Sequence, residues 1–130
     1  MKDGTIIVDG NAGLEVGMRM RGGLIVIRGQ ARDFTGLQMK GGMIVLVAGA
    51  EIRTGAWMHK GTIISLKPLQ MMPTFNYVGD RAPSELSEHL SRLTEFGVGL
   101  PNAADGVFRL FSGDLSVSDK GEILVWQPGA

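Results

Sequence analysis

The strongest constraint on this chain is that it matches itself when shifted by 19 residues. Gly4, Gly23, Gly42 and Gly61 share one column, and Gly17, Gly36 and Gly55 a second. Met1, Met20, Met39 and Met58 form a third, Ala12, Ala31 and Ala50 a fourth, and Ile6, Ile25, Ile44 and Ile63 a fifth. A fixed period near 20 residues marks a stacked architecture, in which each unit buries its apolar face only against its neighbours. Each unit carries one β-branched run, TIIV, LIVI, MIVLV or TIIS, too short for a helix and bounded by glycine. Gly17, Gly36, Gly55, Gly23, Gly42 and Gly61 are then corner residues, where a missing Cβ permits positive φ and close backbone approach. The expectation is an all-β chain built on a parallel β-helix of 19-residue coils over residues 1–66. Coils would lie about 4.8 Å apart, with the isoleucine column as a buried spine. A leucine-rich repeat has an overlapping period but needs spaced leucines and an asparagine ladder, and the sequence has neither.

The same reading removes a phosphate-binding loop. Such a loop needs one glycine-rich turn between a strand and a long helix. Here RGG or its like recurs before each strand with no helix after it, DGNAG at 9–13 fails in the same way, and GVG at 97–99 follows a helix pattern.

Residues alternate sides along a strand, so the columns starting at Ile6 and Val8 share one face and those starting at Thr5 and Ile7 the other. The column Ile7, Val26, Val45, Ile64 would leave an apolar stripe outside the coil. Such a stripe calls for a cover, either the C-terminal part of this chain or another polypeptide. Residue type varies freely at 13–15, 32–34 and 51–53, which marks solvent-facing bends. A further column holds Lys2, Arg21, Lys40 and His59, with Arg19 and Lys60 beside it. Like charges stacked at strand spacing repel unless they splay into water or meet an anion. Two readings stay open: a solvated surface, and a docking rail for acidic groups on a partner or for a polyanionic cofactor tail.

Beyond residue 66 the period stops. Residues 67–130 read as an extended proline-containing strap, an amphipathic helix at about 84–96 carrying Leu86, Leu90, Leu93 and Phe96, and two terminal strands, VFRLF and GEILVW, packed on the coil. The first coil leaves strand backbone unpaired, and a second chain or self-association is expected to cover it.

Composition narrows the function. Thirteen basic and thirteen acidic residues cancel, leaving no long-range field for nucleic acid or an anionic membrane. The chain has no cysteine, which removes disulfides, thiolate metal sites and cysteine nucleophiles and makes the cytoplasm the default location. No apolar run is long enough for a signal peptide or a membrane span. The histidines, His59 and His89, fall in different kinds of structure, so no metal site is expected. Asp105, Asp114 and Asp119 sit in turn-like contexts, and Ser112 and Ser116 have no base in a recognisable pattern. No catalytic residue is assigned.

Three stretches carry a family resemblance: the repeat GTIIVDGNAGLEVGMRMRGGLIVIRGQARDFTGLQMKGGMIVLVAG, the exit KGTIISL with PTFNYVG, and the ending FSGDLSVSDKGEILVW. Together they resemble the C-terminal part of the β-helical subunit of formylmethanofuran dehydrogenase and the matching subunit of the bacterial formyltransferase/hydrolase complex. The resemblance implies a right-handed β-helix and a non-catalytic assembly subunit, in the one-carbon metabolism of methanogenesis or methylotrophy. Implied partners are amidohydrolase-like, formyltransferase-like or molybdenum/tungsten subunits. A methanofuran-type cofactor is implied for the complex and none for this chain. The C-terminal β-helix of glutamate synthase is similar too, and gives the alternative of a domain coupling sites in an amidotransferase. Members of the first family carry more N-terminal coils, whereas this chain starts in phase at its first repeat with Met1 in the methionine column. Both a naturally short and a shortened chain fit that start.

Overall fold

The computed structural model describes residues 4–82, 86–95, 106–114 and 121–128. Four parallel strands, β1 (Thr5–Val8), β2 (Leu24–Ile27), β3 (Lys40–Leu46) and β4 (Lys60–Ser65), form successive rungs of a β-solenoid. The register is the one the 19-residue period requires: Ile6 lies opposite Ile25, Ile25 opposite Ile44, and Ile44 opposite Ile63.

The corners explain how so tight a coil keeps its backbone bonded. In each turn, φ is positive at alternate residues. Gly17, Gly36 and Gly55 have φ of 73°, 72° and 76°, flanked two residues away by Glu15, Phe34 and Arg53 (57°, 61°, 59°) and by Arg19, Gln38 and Trp57 (58°, 55°, 54°). The alternation aims peptide groups up and down the stack. Glu15 N–H donates to Asp33 O (2.9 Å) and Arg19 N–H to Leu37 O (2.8 Å) in the next coil, while Gly36 N–H donates back to Val16 O (2.8 Å). Inter-coil bonds offset the cost, of order 1 kcal/mol, of holding each non-glycine residue left-handed. Met20, Met39 and Met58, all fully buried, follow three residues after these glycines and fill the space beneath them.

β5 (Asn76–Arg81), α1 (Ser87–Glu95), β6 (Gly106–Gly113) and β7 (Gly121–Pro128) complete the described chain. β7 pairs in parallel with β4 and so adds a fifth rung, placing Ile123 opposite Ile63. β6 returns antiparallel to β7 and β5 antiparallel to β6, giving one seven-stranded sheet in the order β1-β2-β3-β4-β7-β6-β5. The strap is thus not extended throughout, since its second half is a paired strand. Its first half lays Leu69, Met71, Met72 and Phe75 against the core inside the coil.

The two faces of the sheet carry two cores. Inside the solenoid are the isoleucine spine and the methionines. The spine is buried from Ile25 onward, whereas Ile6 is 48 % exposed because β1 is the edge rung of the sheet. Outside, Val26, Val45 and Ile64 are fully buried under Leu93 of α1 and Phe108 and Trp126 of the terminal strands. The cover that the outer stripe called for therefore comes from this chain. Phe108 and Trp126 meet edge to face at 5.2 Å. Leu86 packs beside them, and Phe96 and the Leu90 side chain lie outside the described residues.

Candidate functional site

The bends at 32–34 and 51–53 tie coils together. Arg28 pairs with Asp9 at 3.1 Å and Arg32 with Glu51 at 3.5 Å, each across one repeat. Arg53 bonds Asp33 and stacks over the Phe34 ring at 4.4 Å. The Asp33 carboxyl is held below the usual carboxylate range first by the hydrogen bond from Arg53, with partial burial opposing it. A carboxylate depressed on folding contributes stability above its unfolded pKa and loses it as pH falls through the folded value. In an NMR titration Asp33 should therefore protonate at lower pH than a free aspartate, and Arg53→Ala should move its midpoint up; a midpoint unmoved by Arg53→Ala contradicts the pairing.

This corner also walls a crevice of about 310 Å³, together with Trp57, Met72, Thr74 and Asp114. Asp114 is 2 % exposed, and its carboxylate accepts the Trp57 N–H at 2.9 Å. A residue that reads as turn-like in the sequence thus ties the end of β6 to the third coil. The Thr74 hydroxyl oxygen is buried without a hydrogen-bond partner. A second cleft, of about 430 Å³, opens on the outer face between Gly61, Thr62, Val78, Leu110, Ser112, Gly121 and Glu122. There the Thr62 hydroxyl donates to Glu122 at 2.9 Å, and Ser112 lies opposite Glu122 in the ladder. Neither cleft is lined by histidine, so neither Ser112 nor Thr74 has an imidazole base among the described residues. Among those residues no three His, Asp or Glu side chains are grouped to hold a metal ion. Asp105, Asp119 and Ser116 and the His89 side chain lie outside them.

The basic column lies elsewhere, where β3 and β4 begin. Arg21, Lys40 and Lys60 are exposed and His59 is half-buried. The ladder sets Lys40 opposite Lys60, although the 19-residue period pairs it with His59. The N–H groups of both His59 (2.7 Å) and Lys60 (3.4 Å) reach Met39 O, and this local bulge brings Lys60 into the row. Arg19 turns aside to Gln38, donating to its side chain at 2.9 Å. Nothing in the one-dimensional pattern distinguishes Arg19 or His59 from the row; the bulge and the Gln38 bond do.

Over 99 % of its length the chain superposes on a chain in the X-ray crystal structure of the formyltransferase/hydrolase complex (FhcABCD) from Methylorubrum extorquens in complex with methylofuran, at 26 % identity and a TM-score of 0.74. The chain is related in structure to a component of that complex. It spans 57 % of the matched chain's length. No protein-family model and no curated protein sequence matches it. Among the described residues no helix is long and apolar enough to cross a membrane.

Proposed function

We propose that this chain is a cytoplasmic, non-catalytic assembly subunit of a formyl-handling complex, the counterpart of the β-helical component in the formyltransferase/hydrolase type. The observation that carries the reading is the superposition on a chain of that complex over 99 % of the length. The chemistry of the fold points the same way. Its buried and cleft carboxylates are engaged in holding the chain together: Asp114 secures the Trp57 corner and Glu122 accepts from Thr62. Both strand edges of a one-layer sheet and the solenoid's bends remain for contact with other chains. The amidohydrolase-like and formyltransferase-like partners then supply catalysis and hold the furan cofactor, and this chain fixes their spacing. The hydrolytic type is favoured over the dehydrogenase type because the matched complex is a formyltransferase/hydrolase.

Purification of the native protein with its bound partners, read by mass spectrometry and assayed for formyl transfer, tests this. The expected result is co-purification with formyltransferase-like and amidohydrolase-like subunits, with turnover in the assembly and none in the separated chain. Recovery with a flavin/iron–sulfur synthase, or turnover by the chain alone, overturns it.

A further inference from the structure

We propose that Arg21, Lys40 and Lys60 form a docking rail for an acidic helix of a partner polypeptide. The inference rests on the assembly role only in requiring a second chain.

The first observation is a segregation of charge within a chain whose formal net charge is zero. Asp9, Asp33 and Glu51 are paired with arginines, and Asp80, Asp114 and Glu122 are hydrogen-bonded to Tyr77, the Trp57 N–H and Thr62. Those carboxylates are occupied elsewhere. The side chains of Arg21, Lys40 and Lys60, by contrast, are exposed and meet no carboxylate among the described residues. Lys40 and Lys60 face each other directly across the ladder, an arrangement that is unfavourable until an anion lies between them.

The second observation is the bare ground beside the row. Each cation is followed by glycine: Gly22 and Gly23, Gly41 and Gly42, and Gly61. The packing demands glycine there, since a Cβ on Gly41 would fall 2.3 Å from Arg21 O and one on Gly61 2.8 Å from Met39 Cε. The consequence is a strip with no side chain to hold a partner away from the cations.

Spacing selects the partner. Three rungs about 4.8 Å apart span about 9.6 Å. Carboxylates at i, i+3 and i+7 of a helix share one face and span about 10.5 Å, whereas three same-face residues of a strand span more than about 13 Å. A helix lying along the solenoid axis therefore meets all three cations, and a strand meets two.

The test is titration of the full chain with a fluorescent helical peptide carrying Glu at i, i+3 and i+7, against a peptide of equal composition with its glutamates scattered around the helix. Tighter binding of the striped peptide is expected, with Lys40→Glu weakening it about tenfold and Lys67→Glu, an equal charge change outside the row, by less than about twofold. Lys40→Glu should also raise the melting point of the isolated chain by roughly 2 °C, because it places an anion between two cations. Lys40→Gln should fall between the two in affinity, which secures the readout if the reversal misfolds. Equal affinity for both peptides, equal loss from Lys40→Glu and Lys67→Glu, or displacement by inorganic polyphosphate at equal charge overturns the proposal. Such results leave the co-purification of partner subunits untouched, so the rail and the assembly role fail separately.

Discussion

Gly36→Val is expected to lower stability by about 3 kcal/mol, or roughly 10 °C in melting temperature. Gly36 is buried with φ at 72°, a region where a β-branched residue is strained by about 1–2 kcal/mol. A Cβ there would also lie 2.8 Å from Ile63 Cδ1 and 3.6 Å from Ile44 Cδ1. Those are spine residues of the solenoid, both fully buried, so neither can swing into water. Gly10→Ala is the contrasting case, because nothing lies within 4 Å of a Cβ at Gly10 and its φ is not positive. It should change stability by less than about 0.5 kcal/mol. Equal melting points for wild type and Gly36→Val would show that the corner has some other conformation.

The second large effect is expected at the outer cover. Leu93 is fully buried in the cluster that includes Val45, Ile64, Phe108, Leu124 and Trp126. Leu93→Asp removes a buried aliphatic side chain and places a carboxylate in a site with no described cation, for a loss of about 3 kcal/mol or more. The stripe Val26, Val45, Ile64 would then be open to solvent, so binding of a hydrophobic dye and concentration-dependent association should rise together. Leu93→Met, which conserves volume, should cost less than about 1.5 kcal/mol. An unaltered melting point and no dye binding in Leu93→Asp would mean that α1 does not seal this face.

The rungs β1 to β4 were legible in the sequence because stacking places each residue beside its own copy. A column of isoleucines in the repeat is therefore a contact list in space. The outer stripe was legible for the same reason, although the pattern left open whether this chain or another covers it. β5 was not, since Asn76–Arg81 contains only Tyr77 and Val78 as strong strand formers and is held by pairing with β6, some thirty residues later. The fifth rung did leave a signal. Gly121-Glu-Ile-Leu-Val repeats the Gly-X-Ile pattern of Gly61-Thr-Ile-Ile-Ser, but it stands 60 residues further on, outside the 19-residue comb. The Asp114 tie to Trp57 links residues 57 apart and has no local sequence mark. In the basic column, composition gave the cations, while the row of three depends on a bulge that only the ladder shows.

Coils of 19 residues stacked in register, with β7 continuing the stack, are the foundation of the fold, and isoleucine δ1-methyl NOE spectroscopy measures that stacking directly. Cross-peaks linking Ile25 to Ile44, Ile44 to Ile63, and Ile63 to Ile123 in series are the predicted result. Strong cross-peaks between other isoleucine pairs, with this series missing, would contradict it.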